Sequence, residues 1–280
     1  MYRYLCAILL SICFFFLPCC SGKNATNSQF NAYMPPSFDD FFEEIIPLEG
    51  MSNVETNVWD VSGVDLSYVD LNRKLIAFTF DDSPAKTLEN IFAVFAEYNE
   101  NNPDCRATAT LFINGGLVTE DSIPNLHAAT ALGFELGNHT HSHLDLTTLS
   151  NGELQAEIDA TDEILSKIDG KQRHLLRPPF GIVNDTVKAQ IPAPIINWNI
   201  DTVDWSKVSA EEIYDSVYNR ASSGAIVLMH DGYPNTVEAL KRLLPNLKSA
   251  GYQIVSVSAL AKAHNCILKN GGEYVRLRKH

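Results

Sequence analysis

Short apolar runs alternate along the chain with longer stretches in which apolar residues recur every three or four positions. The run from Leu75 to Phe80 is typical of a buried strand, and the polar residues after it, from Asp81 to Pro84, indicate a turn. Similar runs predict strands at residues 109–113, 134–136, 174–176, 195–200, 225–229 and 253–257. The stretches between them predict helices around residues 88–95, 126–132, 154–168, 211–220 and 237–250.

This alternation of strands and helices predicts the fold class. The predicted strands are almost continuously apolar, which is typical of a parallel sheet covered by helices. The helical stretch with Leu154 and Ile168 on its apolar face is followed by Gly170, where a helix C-cap is expected. We therefore predict an α/β protein whose parallel sheet closes, or nearly closes, into a barrel.

The first 20 residues have the pattern of an export signal. A single positive charge, Arg3, precedes an apolar run from Leu5 to Pro18 that is too short to span a bilayer comfortably. We interpret residues 1–20 as a signal peptide. Leu17 lies three positions before Cys20, which resembles a bacterial lipobox, although the residues between them are not the usual small ones. A lipid anchor at Cys20 and simple cleavage nearby both stay open.

The rest of the chain divides into one domain with two flanking segments. Residues 21–72 are rich in Asn, Ser and Pro and predict a tether. For its acidic aromatic patch 38–44, packing on the domain, binding of a partner and no specific role all stay open. Residues 73–268 contain the predicted strands and helices and form the domain. Residues 269–280 are Gly-rich and then basic, and we expect them to be an exposed tail.

Composition and charge narrow the possible partners. Of the 280 residues, 45% are hydrophobic, which is enough for one sizeable core. The formal net charge is −13 with only 21 Lys and Arg residues, so we expect no surface for nucleic acid. We predict a monomer exported to the cell envelope, as a periplasmic, extracellular or lipid-anchored protein.

Two cysteines remain after the predicted signal peptide. Four of the six lie within the first 20 residues, and the others are Cys105 and Cys266. An exported protein meets oxidising conditions in which disulfides persist. A bridge between the two residues and a pair of free thiols therefore both stay open.

Charged or titratable residues follow most of the predicted strands. The active site of a parallel barrel forms at the carboxyl ends of its strands, so these residues are candidates for chemistry. They are Asp81 and Asp82, the histidines at 139–143, Arg177, Asp201 and Asp204, and His230 and Asp231. Asp81 and Asp82 can take different roles, because adjacent side chains at a strand end point in different directions. One can bind a metal while the other abstracts a proton; a turn or helix cap is the alternative.

The strongest local signal is a group of three histidines. His139, His141 and His143 stand at alternate positions directly after a predicted strand. Histidine is the commonest zinc ligand in proteins, and three protein ligands with one open position make a catalytic zinc site. A solvent-exposed turn is the alternative, and spacing alone does not choose among the three imidazoles.

Arg177 and His230 complete the candidate chemistry. The guanidinium of Arg177, next to two prolines, could pair with an aspartate and aim its carboxylate, although a surface arginine in a turn has the same pattern. His230 follows an apolar strand, and Asp204 or Asp201 could orient and charge its ring as in a general acid. A structural histidine is the alternative.

Two tryptophans flank these aspartates. Trp205 could stack on a sugar face, and for Trp198 we favour packing in the core.

Five ordered motifs resemble those of the NodB-like polysaccharide deacetylases, carbohydrate esterase family 4. The resemblance covers about residues 73–263. Its motifs are Thr79-Phe80-Asp81-Asp82, His139-Thr140-His141-Ser142-His143, Arg177-Pro178-Pro179-Phe180, Asp201-Thr202-Val203-Asp204-Trp205 and Leu228-Met229-His230. It implies a distorted (β/α) barrel of seven or eight strands, with residues 73–268 as the catalytic domain.

The resemblance also implies a role for each matching residue. It makes Asp82, His139 and His143 the metal ligands and does not implicate His141. It makes Asp81 the general base, Arg177 its tether, His230 the general acid and Asp204 the group that tunes His230. Trp205 and Leu228 would line the groove for the acetylated sugar. Phe180 replaces the usual tyrosine but would keep the backbone N–H that contacts the oxyanion.

The implied activity is hydrolysis of acetyl groups on an acetylated glycan, either a polysaccharide or peptidoglycan, with nitrogen or oxygen as the leaving atom. The implied cofactor is a divalent metal, with Zn²⁺ expected and Co²⁺ or another ion also suitable. The alternative is a non-catalytic carbohydrate-binding protein on the same fold.

Overall fold

The structure is a computed structural model that describes residues 57–279. The predicted signal peptide, Cys20 and the patch 38–44 lie outside the described residues. Within them, no helix has the length and apolar character needed to cross a membrane.

The described chain alternates strands with helices. The strands are β1 Lys74–Ser83, β2 Thr110–Ile113, β3 Glu135–Asn138, β4 Ile195–Ile196, β5 Ile200–Asp201, β6 Ile226–His230, β7 Tyr252–Val255 and β8 Glu273–Tyr274. The α-helices are α1 Leu88–Asn101, α2 Ile123–Ala131, α3 Asn151–Asp169, α4 Asp185–Lys188, α5 Ala210–Tyr218, α6 Pro234–Ser249 and α7 Val257–Ala263.

The strands pair in parallel around a central β1. The sheet order is β3-β2-β1-β6-β5, and β7 pairs with the first half of β1. Leu176 bridges Asn138 of β3 to Ile195 of β4, and β4 pairs with β8. The predicted α/β class with a parallel sheet is confirmed, and the strand order fits a distorted barrel. Over residues 57–279, however, no ladder joins β5 to β4 or β8 and closes the ring.

The alternation of side chains along β1 separates two parts of the core. Its even-numbered residues from Ile76 to Phe80 pack in a cluster with apolar residues of α1 and α6. Leu75 and Ala77 belong to a second cluster on the opposite face, which includes Ile196 of β4. Because side chains alternate between the faces of a strand, the buried polar residues Thr79 and Asp81 follow Leu75 and Ala77 on this second face.

Three predicted elements differ in detail. The predicted strand at 195–200 is divided into β4 and β5, and the one at 174–176 is reduced to single bridges at Leu176. The predicted strand at 253–257 ends at Val255, because Ser256 caps α7 by accepting a hydrogen bond from the Ala259 N–H through its hydroxyl.

Both predicted domain boundaries need correction. The sequence places residues 57–72 in a tether, but Trp59, Leu66 and Tyr68 pack against the second cluster, and Val58 bridges Lys269. The expected exposed tail at 269–280 instead contains β8, and Leu277 is only 2% exposed. The reason is that both segments attach largely through backbone pairing and scattered apolar residues, which produce no periodic pattern.

The two cysteines do not form a bridge. Cys105 and Cys266 are both free thiols. Cys105 is buried with its Sγ 3.9 Å from the Tyr252 carbonyl oxygen, whereas the Sγ of Cys266 donates to the carbonyl of Arg278 at 3.1 Å. Of the two alternatives that the sequence left open, the structure therefore supports the pair of free thiols.

Candidate active site

A pocket of about 470 Å³ opens at the carboxyl ends of the strands. Most of the side chains collected from the predicted strand ends line it. The lining residues are Asp81, Asp82, His139, His143, Phe180, Trp198, Asp201, Trp205, Leu228 and His230.

The two aspartates enter the pocket from an irregular end of β1. The register of β1 against β2 shifts between Phe80 and Ser83, and Asp82 has a left-handed backbone with φ of +58°. Such irregularities re-aim side chains and are frequent next to active sites. As a result Asp81 and Asp82 both line the pocket, Asp81 buried and Asp82 partly exposed.

Arg177 lies completely buried behind Asp81. Its Nη1 donates to Asp81 Oδ1 and to Thr79 Oγ1, both at 2.7 Å, and its Nε donates to the Ile196 carbonyl at 2.8 Å. The guanidinium also lies over the Phe112 ring, with Cζ of Arg177 4.1 Å from the ring centroid. Burial lowers the pKa of Arg177 although Asp81 acts to raise it. Arg177 is therefore a buried partner of Asp81 and not a surface residue in a turn.

The histidine loop places two imidazole nitrogens beside Asp82. The Nδ1 of His139 bonds the Arg177 carbonyl at 2.7 Å, so Nδ1 carries the proton and the lone pair of Nε2 is free. The Nε2 atoms of His139 and His143 lie 3.7 Å and 3.6 Å from Asp82 Oδ1. Burial lowers the pKa of His139 more than the charges of Asp81 and Asp82 raise it, which favours the neutral ring that binds metals.

One carboxylate and two imidazoles make a suitable donor set for a divalent metal. The ligand atoms of Asp82, His139 and His143 all lie within 4.8 Å of one another. His141 does not belong to this group, and its backbone N–H donates to Glu157. The geometry thus separates His143 from His141, which spacing alone could not do. Zinc and cobalt both accept such ligands.

His230 faces the pocket with a buried carboxylate behind it. Its Nδ1 lies 2.7 Å from Asp204 Oδ1, while Asp204 Oδ2 accepts from the His230 N–H and the Thr236 hydroxyl. Burial acts to lower the pKa of His230, but the hydrogen bond to Asp204 and the nearby carboxylates outweigh it, so the pKa is raised. Of the two aspartates considered from sequence, Asp204 is the partner. Asp201 accepts from the Val203 N–H and lines the pocket.

Aromatic side chains form the rim of the pocket. Phe180 is 61% exposed, has a left-handed backbone with φ of +60°, and its ring centroid lies 4.8 Å from that of His143. A bulky residue in this conformation is strained, and such strain is concentrated at functional sites. Trp205 is 53% exposed, and Leu228 is buried. Trp198 packs against the core, which is the position favoured from the sequence. It also lines the pocket.

Several supporting residues were not identified from sequence. Thr79, in the interior of an apolar strand, accepts from Arg177, and Thr236 donates to Asp204. Asn138 accepts from the Thr140 N–H and donates to Asp162. The polar residue at position 79 within an otherwise apolar run was the one available signal. The contacts of Thr236 with Asp204 and of Asn138 with Asp162 span 32 and 24 residues, and the sequence does not show them.

Comparison with known proteins finds similarity to deacetylases. A family profile described as polysaccharide deacetylase matches residues 68–193. A peptidoglycan-N-acetylglucosamine deacetylase of Bacillus cereus is 35% identical over 201 residues, which are 68% of this chain and 90% of that protein. The peptidoglycan-N-acetylmuramic acid deacetylase PdaC of Bacillus subtilis is 36% identical over 193 residues, 69% of this chain but only 40% of the relative. The chain thus spans well under two thirds of some larger relatives.

Solved structures share the fold. The structure of PdaC superposes with a TM-score of 0.64 at 35% identity, over 70% of this chain and 94% of the other. A family 4 acetyl xylan esterase from Clostridium thermocellum, in complex with cobalt, has a TM-score of 0.67 at 26% identity, over 73% and 99% of the two chains. The chain therefore belongs to the polysaccharide deacetylase family, the NodB-like carbohydrate esterase family 4.

Proposed function

We propose that this protein is a metal-dependent hydrolase that removes acetyl groups from N- or O-acetylated sugars of a polysaccharide or peptidoglycan. The observation that carries the proposal is the pairing of β1 with β6. Asp81 and His230 are direct partners in that ladder, and both line the pocket beside Asp82, His139 and His143. The proposed base and the proposed acid therefore lie on neighbouring strands, next to a suitable set of metal ligands.

Asp82, His139 and His143 would hold the metal. A divalent ion bound there would supply Lewis acidity, which polarises the acetyl carbonyl and acidifies a water molecule. The buried Arg177 fixes the carboxylate of Asp81 through its hydrogen bond, and the Arg177 carbonyl fixes the ring of His139. One residue thereby positions both the base and a ligand.

The remaining steps belong to the protein's own groups. Asp81 accepts a proton from the attacking water while the water oxygen bonds to the acetyl carbon. The backbone N–H of Phe180 donates to the carbonyl oxygen as negative charge develops on it. His230 then gives its proton to the leaving nitrogen or oxygen as the bond to the acetyl carbon breaks. The products are acetate and a free amine or hydroxyl.

The relatives and the net charge support a neutral or weakly charged acetylated glycan as the substrate class. The named relatives act on peptidoglycan or xylan, and a net charge of −13 disfavours strongly anionic chains. We propose export to the cell envelope through the segment 1–20, with lipidation at Cys20 or cleavage nearby as the two routes. Trp205 and Phe180 would contact the sugar rings at the rim.

Acetate release from a panel of acetylated glycans tests the function. The panel contains peptidoglycan, chitin oligomers and acetylated xylan, each treated with metal-loaded protein and with protein after chelation. We expect acetate from at least one glycan, loss of release after chelation, and recovery with Zn²⁺ or Co²⁺. Glycan binding without acetate release would indicate the non-catalytic alternative. Release that persists after complete metal removal would contradict metal dependence.

Asp204→Asn is expected to move the basic limb of the pH profile of kcat/KM to lower pH. A general acid must be protonated, so activity falls as pH rises through the pKa of His230. Asp204 contributes to raising that pKa; without its charge the fall should begin about one to two pH units lower. Asp215→Asn, an exposed change of the same kind on α5, serves as control. If the basic limb of Asp204→Asn stayed at its wild-type pH, the limb would report a group other than His230.

A further inference from the structure

The loop between the two histidine ligands has an unusual backbone. Thr140 and His143 both have left-handed conformations, with φ of +66° and +55°. Such conformations are unfavourable for residues other than glycine, and hydrogen bonds from the surroundings must maintain them. The bonds that hold each part of this loop therefore determine where the ligands lie.

The first half of the loop is fixed by the end of β2 and the two glycines that follow it. The His139 N–H donates to the Ile113 carbonyl at 2.8 Å, and the Thr140 carbonyl accepts from the Gly115 N–H at 2.9 Å. The His141 carbonyl accepts from the Gly116 N–H at 2.8 Å. These backbone bonds hold the segment that carries the buried ligand, His139.

The second half is held by a carboxylate on α3. Glu157 Oε2 accepts from the backbone N–H groups of Ser142 at 2.6 Å and His141 at 3.0 Å. Within residues 57–279, no protein hydrogen bond fixes the ring of His143, which packs against Phe180. The position of His143 consequently depends on the backbone of Ser142, which Glu157 holds.

We infer that Glu157 is a positioning residue of the metal site, which sets metal affinity by fixing the Ser142–His143 backbone while touching neither metal nor substrate. The inference rests on the proposed function, because it takes His143 as a ligand. Two properties of the carboxylate could matter, its reach across to the loop and its negative charge. The contacts favour reach, because a single oxygen, Oε2, accepts from both N–H groups and must lie within hydrogen-bonding distance of both.

Two conservative variants separate reach from charge. Glu157→Asp keeps the charge but shortens the side chain by one methylene, and Glu157→Gln keeps the length and one acceptor oxygen but removes the charge. We expect Glu157→Asp to raise the Kd for Zn²⁺ about 10–100-fold, the range found when partners of metal ligands are removed, and Glu157→Gln to raise it less. The Kd is measured by competition with a chelating dye.

Matched controls come from Glu163 on the same helix, which is exposed and pairs with Lys167. Glu163→Asp and Glu163→Gln should leave the Kd at its wild-type value. An unchanged Kd in Glu157→Asp, or a larger effect of Glu157→Gln than of Glu157→Asp, would overturn the inference.

Amide hydrogen exchange of the metal-free protein adds a readout independent of activity. The Ser142 N–H should be protected in the wild type and should exchange faster in Glu157→Asp. Rapid exchange in the wild type would overturn the inference even if a variant failed to fold. Weaker metal binding in Glu157→Asp without acetate release by the wild type would instead reject the proposed hydrolysis and leave the positioning role intact.

Discussion

Asp81→Asn is expected to lower kcat by about 10²–10⁴-fold, the usual contribution of a general base. The amide of asparagine cannot accept the proton of the attacking water. Its oxygen can still accept the hydrogen bond from Arg177, so the buried network around Thr79 should persist. Metal content by elemental analysis should stay at the wild-type value, and acetate release on a responsive glycan reports the loss of turnover.

The neighbouring aspartate provides the comparison. Asp82→Asn alters a proposed ligand and should reduce both metal content and turnover, whereas Asp81→Asn should reduce turnover alone. The free energy of unfolding is expected to fall in Asp81→Asn, because Arg177 then keeps a buried charge without a counterion. Rates are therefore measured well below the unfolding temperature. Near wild-type rates for Asp81→Asn would show that another group is the base.

His139→Ala is expected to abolish stable metal binding. Of the three proposed ligands His139 is the buried one, and its ring orientation is fixed by the Arg177 carbonyl. Loss of a direct ligand should weaken binding by more than the roughly 10–100-fold found for residues behind the ligands. Dialysed protein should then contain far less than one metal ion per chain, and acetate release should disappear with it.

His141→Ala is the matched control for this change. His141 lies in the same loop but outside the group of ligand atoms, so its removal should leave one metal ion per chain. Equal metal content in wild type and His139→Ala would reject His139 as a ligand. Loss of metal in His141→Ala without loss of fold would show that the loop binds metal through a different pair of imidazoles.

The sequence allowed prediction of the strand ends and the residues that follow them. Buried parallel strands are continuous apolar runs, so Asp81, Arg177 and His230 were recognisable as charged residues placed directly after such runs. The structure brings Asp81 and His230 into one pocket together with the histidine loop. Choosing His143 over His141 needed the family motif or the three-dimensional geometry.

What the sequence could not provide are contacts between distant segments. Glu157 is one of several acidic residues of α3, and only the fold brings its carboxylate to the Ser142 N–H. Strands of two residues, such as β4 and β8, are too short for a periodic pattern. The attachment of residues 269–279 was missed for a similar reason, since Tyr274, Val275 and Leu277 are the only apolar or aromatic residues in that segment.

The position of β1 at the centre of the sheet has a consequence for synthesis of the protein. β1 is the first strand of the described chain, but two of its partners, β6 and β7, are among the last strands. During translation the apolar residues of β1 lack these partner strands until most of the domain has left the ribosome. Such non-local pairing slows folding and leaves an aggregation-prone strand exposed in shortened chains. Fragments that end before β6 should therefore be insoluble rather than partly active.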